Sequence, residues 1–340
     1  MGVTVYQVTD VLHPIGIALA SLVLLIILII TIYDRSLINR VTLRLIIIVA
    51  IADIFTHTKD YLIKNHRTND SLCVFYSAFT YFSTYLYCFT NIAVAYNFQR
   101  TFIQNKVSTW KFEMITWLVV LIVSLGITIV FWLLGTFGFD PIQKKCVGIT
   151  TNWVFLLRGH FQWVLCSFTV LYCLGVILKI HFGLKTYIDT YLNTKTFSPS
   201  NETKHKEQMK QLIQRGLLYP LSPIITLTPM IAYMARYLLK NDSTDVIQWL
   251  LGIGFGLSGV LTFIAFCTDL TLQKALKTIY YKLINKYHDN NSDNNLYFYN
   301  DIEPCNNLIL MGSKLTSGKT DFGALLIRQD EEFIDLTKAL

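Results

Sequence analysis

Apolar residues fall in seven long runs, 14–33, 41–63, 74–99, 113–135, 154–182, 216–239 and 246–268, separated by polar connections. A helix needs about 20 apolar residues to cross the hydrocarbon core of a bilayer, and every run is long enough. Lipid offers no partner to a backbone N–H or C=O, so each crossing is expected as an α-helix. The pattern predicts an all-α membrane protein: a seven-transmembrane helix bundle over 14–268, preceded by a short extracellular segment, 1–13.

Polar residues inside the runs say which faces turn inward. In the second run Asp53, His57 and Asp60 are spaced i, i+4, i+7. They share one helix face, which belongs in the bundle and not against lipid. The third run repeats the pattern with Ser77, Tyr81, Thr84, Cys88 and Asn91, which marks a central helix. Such a stripe serves either to bind helices together or to line a ligand cavity. The sixth run carries Pro220, Pro223 and Pro229, each able to kink it. The seventh carries Gly252, Gly254, Gly256 and Gly259, which let helices approach closely. Together they fit a bundle that changes shape at its cytoplasmic end, or one in which they only solve packing.

Past the last run, Leu272, Leu276, Ile279 and Leu283 form an apolar stripe with Lys274, Lys277, Lys282 and Lys286 off it. That predicts an amphipathic helix in the membrane interface over 269–287. The polar remainder, 288–340, is expected as a disordered cytoplasmic tail.

Charge sets the expected orientation. One set of connections, with the segment after the last run, holds sixteen basic residues; the other holds five, Lys64, Arg67, Lys144, Lys145 and Lys240. Short loops rich in Lys and Arg stay cytoplasmic, so the N-terminus is expected outside, with the protein in the plasma membrane. The first run lacks the basic start of a signal peptide and is expected as a retained helix. Of the 340 residues, 53% are hydrophobic and 15% charged, which fits one polytopic domain. The net charge of +7 sits largely beside the membrane, where anionic lipids attract it, and this excludes nucleic acid as the partner.

Cys73 and Cys146 face the oxidising side and can form a disulfide there. Cys88, Cys166, Cys173 and Cys267 fall inside runs, and Cys305 lies in the tail. The outer sequons at Asn69 and Asn241 sit in short loops, where glycosylation is expected to be poor. Gly312–Thr320 imitates a P-loop but puts five residues between its glycines instead of four. No metal site, cofactor or catalytic group is expected, and the protein is read as not an enzyme.

A retinal protein needs a lysine in the seventh run, and 246–268 has none. A transporter is expected to show paired repeats and broken helices, and none stands out, although a seven-helix transporter or channel remains the alternative. An outer binding face joined to a basic inner face fits a receptor.

Short motifs make that reading specific. The third run ends Ala95-Tyr96-Asn97-Phe98-Gln99-Arg100-Thr101, and the sixth opens Arg215-Gly216-Leu217-Leu218-Tyr219-Pro220. The seventh reads Gly256-Leu257-Ser258-Gly259 and closes Phe266-Cys267-Thr268-Asp269, while the second holds Ala50-Ile51-Ala52-Asp53. The chain resembles G-protein-coupled receptors, most of all the cAMP-receptor-like seven-helix group of amoebae, fungi and plants. It lacks the Asp/Glu-Arg-Tyr, Cys-Trp-x-Pro and Asn-Pro-x-x-Tyr motifs of rhodopsin-like receptors. Ser258 and Thr262 stand in the stretch where the group often has Asn.

The resemblance implies a heterotrimeric G protein as cytoplasmic partner. It places Arg100 at the coupling end of the third helix, with Arg215, Tyr219 and Pro220 at the moving base of the sixth. Asp53, with His57 and Asn91, becomes a polar hub. The ligand is an unknown extracellular molecule. Candidate groups toward the outer ends are Lys59, Asp60, Tyr81, Arg158, His160, Gln162, Tyr233 and Arg236. Arg158 stands out, because a charge one turn inside the membrane requires a partner or solvent. Lys59, Arg158 and Arg236 together suit an anionic ligand, or are neutralised by Asp60 or lipid phosphate.

Overall fold

The computed structural model describes residues 5–33, 41–65, 71–104, 108–140, 145–146, 153–194, 218–240, 245–269 and, beyond these, 272, 273, 276, 277, 279–281 and 284. Among them the chain runs α1 (Val5–Tyr33), α2 (Val41–Asn65), α3 (Ser71–Phe102) and α4 (Trp110–Leu133). After a two-residue antiparallel ladder, β1 (Phe139–Asp140) with β2 (Lys145–Cys146), come α5 (Trp153–Thr194), α6 (Leu218–Lys240), α7 (Asp245–Gly256) and α8 (Ser258–Thr268). Arg215, Asn69, Asn241, Cys305, the P-loop imitation and the tail lie outside the described residues, as does the side chain of Asp60.

Six segments among these are long and apolar enough to cross a membrane: Val8–Tyr33, Ser71–Thr101, Trp110–Leu133, Leu156–Gly183, Leu218–Leu238 and Trp249–Thr268. Their outward faces are apolar, with Leu133 82%, Ile32 74% and Leu171 66% exposed. A water-soluble fold does not leave a continuous belt of this kind uncovered, so the chain is a helical multi-pass membrane protein. α2 packs between α1 and α3 and buries Arg44, Asp53, His57 and Lys59.

Half of the most apolar stretch of α3 is buried, against 22% for α4. α3 is therefore the central helix, touching α2, α4, α5 and α6, and α4 is peripheral. The stripe Ser77, Thr84, Cys88 and Asn91 is buried, with Tyr81 partly so. One apolar cluster, with Val23, Leu43, Ile46, Val94, Phe98 and Phe266, fills the end away from Cys73. A second, with Tyr85, Tyr87, Leu165, Leu227 and Phe255, fills the half toward it.

The helices overrun the apolar runs. α1 begins at Val5 and not at residue 14, because tertiary contacts hold its first turns. Leu12 packs where a Cβ on Gly256 would stand 2.7 Å away, and His13 bonds to His57. α5 continues to Thr194, past Gly183, where its stretch apolar enough to cross a membrane ends. Pro220 falls in the first turn of α6, where its missing N–H costs nothing, so Pro223 and Pro229 are the interior prolines. The seventh run is divided at Leu257 into α7 and α8, though Leu257 N–H still bonds Ile253 O at 2.9 Å.

Close helix approach occurs where the glycines predict it. A Cβ on Gly259 would lie 2.6 Å from Gly16 O, and one on Gly254 3.1 Å from Pro229 Cγ. Beyond α8, Asp269 Oδ1 accepts from Leu272 N–H at 3.3 Å, and the described residues that follow are mostly helical. Leu272 and Ile279 are buried in the first cluster while Leu276 is 43% exposed. Part of the expected interfacial stripe thus packs on the bundle; Leu283, Lys274, Lys282 and Lys286 lie outside the described residues.

Candidate functional site

The end of the bundle at Cys73 is shaped by one turn. Gly135, at φ 68°, ends α4 with Gly135 N–H on Trp132 O (2.9 Å) and Thr136 N–H on Phe131 O (3.2 Å). This is the left-handed closure that glycine favours. It turns the chain inward, so that Thr136 and Phe137 are buried. The β1–β2 ladder then brings Cys146 to Cys73, and the two form a disulfide with Cα atoms 5.2 Å apart. The expected Cys73–Cys146 pair is therefore present.

Beneath this loop Arg158 is 1% exposed. Its Nη1 donates to Thr136 O at 2.8 Å, and its guanidinium lies 4.2 Å from the Tyr81 ring centroid and 5.7 Å from that of Phe137. The two rings stack at 5.4 Å. Lys59 reaches α3 from the other side, donating to Thr84 Oγ1 at 3.0 Å with Nζ 4.4 Å from the Phe255 ring centroid. Gln162 is buried with Oε1 unbonded, and the buried Tyr85 hydroxyl is also without a partner. Tyr233 and Arg236 are half-buried on α6, Tyr233 stacked on Tyr237 at 6.1 Å and Arg236 Nε unbonded. His160 stands apart: it is exposed, with Nδ1 2.7 Å from Leu156 O of its own helix.

A second polar group lies deeper. His57 Nε2 accepts from Gly259 N–H and lies the same 3.3 Å from Ser258 Oγ. A backbone N–H can only donate, so in a neutral ring the His57 proton sits on Nδ1. It points at His13 Nδ1, 3.0 Å away. His57 thereby ties α2 to α1 and α8. Asp53, fully buried one turn away, has neither oxygen hydrogen-bonded, with the Ser258 and Thr262 hydroxyls as polar neighbours. Tyr87 Oη and Thr226 Oγ1, 2.9 Å apart, join α3 to α6. Asn91 spends its amide on its own helix, Nδ2 to Tyr87 O at 2.8 Å.

At the end away from the disulfide, the Arg100 guanidinium lies 3.8 Å from the Phe112 ring centroid, with Nε unbonded. Tyr219 stacks on Phe98 at 6.2 Å, and its buried hydroxyl has no partner. A narrow apolar cleft there is lined by Leu45, Ile46, Val49, Val94, Phe98 and Tyr219.

Sequence reasoning missed the buried ion pair at this end. Arg44 Nε meets Glu113 Oε2 at 2.6 Å, and Nη2 meets Oε1 at 3.0 Å. The signal was available, because both charges fall inside apolar runs, where charges require partners. Also new is the approach of Cys88 and Cys166, whose buried sulfurs are 3.8 Å apart. Among the described residues no group of three or more His, Cys, Asp or Glu is placed to hold a metal ion. No protein-family model and no curated protein matches the chain, so a functional reading rests on these residues.

Proposed function

We propose that the protein is a G-protein-coupled receptor that passes an extracellular small-molecule signal to a heterotrimeric G protein. In this reading α2 crosses the membrane as well as the six other spans, the N-terminus is extracellular and the disulfide end faces outward in the plasma membrane. The imbalance of basic residues between the two sets of loops supports that orientation.

The observation that carries the reading is the course of α3. One end of this central helix is pinned by Cys73 to a loop that closes over Arg158 and Tyr81. The other end carries Arg100, and nearby Phe98 borders an apolar cleft together with Tyr219. A ligand that moves α3 or α6 at the first end alters the surface presented at the second. The prolines inside α6 and the Pro229–Gly254 contact give α6 a place to bend.

The test is nucleotide exchange on Gα subunits by the purified protein in nanodiscs, wild type beside Arg100→Ala. Exchange stimulated by wild type and lost in the variant supports the receptor. Solute flux through the protein with no exchange on any Gα would replace it with a transporter or channel.

A further inference from the structure

The buried charges of the bundle differ in how they are compensated. Glu113 is matched by Arg44, and Arg158 lies against a carbonyl and two ring faces. Lys59 is 4% exposed, and its contacts are the Thr84 hydroxyl and the Phe255 ring. Among the described residues no carboxylate pairs with it.

The donors at Lys59 exceed the acceptors. An ammonium has three N–H groups, and the Thr84 oxygen takes one. Thr84 sends its own proton to Thr80 O at 3.0 Å, so it serves Lys59 only as an acceptor. The Phe255 face attracts a cation but carries no net charge. A cation withdrawn from water into a bundle is held by an opposite charge or by solvent. At 96% burial, solvent has little access to the ammonium, and two N–H groups remain for a counter-ion.

We propose that Lys59 holds a small monovalent inorganic anion, chloride in a physiological medium, inside the bundle between α2, α3 and α7. A halide suits so enclosed a position because it brings a full charge in a single atom and accepts from both remaining N–H groups. Its role is to neutralise the ammonium and join α2 to α3 and α7. The proposal requires only the helix packing described above and stands apart from G-protein coupling, so a failure of nucleotide exchange leaves it untouched.

The test is thermal unfolding of the full chain in nanodiscs in potassium chloride, bromide or gluconate at equal ionic strength. Wild type is expected to unfold about 3 °C higher in chloride and bromide than in gluconate, saturating with halide concentration. Lys59→Met is expected to lose that difference, and Lys59→Arg, which keeps the charge, to retain it. Equal wild-type Tm in chloride and gluconate overturns the proposal, with no variant needed. So does a halide response that persists in Lys59→Met.

Discussion

Arg44 and Glu113, 69 residues apart, form a buried bidentate ion pair that fastens α2 to the start of α4. Ser108 Oγ donates to Glu113 Oε1 at 2.8 Å and lies 3.1 Å from Asn97 Oδ1, which brings in α3 and the α3–α4 connection. Trp110 adds a ring face 5.2 Å from the Arg44 guanidinium. Three helices are thus held together at the end where Arg100 lies.

Removing one partner leaves the other charge buried. Glu113→Leu or Arg44→Met is therefore expected to destabilise the protein by about 3–5 kcal/mol. The double variant Arg44→Met/Glu113→Leu removes both charges and is expected to recover most of that loss. Thermal unfolding of the four proteins as a cycle checks this. A double variant whose loss equals the sum of the two single losses would show that the pair is not coupled.

Two glycines should respond oppositely to the same methyl group. Gly259→Ala pushes a Cβ to 2.6 Å from Gly16 O and 2.9 Å from Gly16 Cα, and overpacking against backbone is expected to cost about 1–3 kcal/mol. Gly126, within α4, has nothing within 4 Å of its Cβ position. There the change is expected to raise stability by up to about 1 kcal/mol through helix propensity. Unfolding midpoints of the two variants, compared with wild type, decide it.

The disulfide closes a loop with a sequence separation of 73. Its loss in Cys73→Ser, Cys146→Ser or the double variant is expected to lower stability by about 2–4 kcal/mol, equally in all three. Unfolding with and without a reductant measures this, and wild type under reducing conditions should match the variants. A larger loss in the single variants would point to contacts of the freed thiol instead.

Tyr219→Phe separates stability from coupling. Its buried hydroxyl has no partner, so removing it relieves an unsatisfied group and is expected to leave the Tm unchanged or raised. If the proposed receptor uses that hydroxyl in its active arrangement, ligand-stimulated or basal Gα exchange falls. A large drop in Tm would mean that the hydroxyl is bonded in the resting protein after all.

Much of this architecture is legible in the chain. Apolar run length determines that these segments are helices, because a backbone in lipid satisfies itself only within a helix. The turn angle of the helix determines that Asp53 with His57, and Ser77 with Thr84, Cys88 and Asn91, share faces. The placement of Cys73 and Cys146 beyond the runs leaves them able to pair, and they do.

Partnership is what the chain alone does not decide. The sequence offers both Arg158 and His160 as candidates, with Arg158 the stronger, and two residues apart on a helix they point some 200° apart. Packing buries Arg158 beneath Thr136 and leaves His160 outside. Likewise His57 with His13, Arg44 with Glu113 and Lys59 with Phe255 join residues on different helices. Their meeting depends on how each helix is rotated and how deep it sits. Those two quantities are set by all the contacts of the bundle at once, and no local run of residues encodes them.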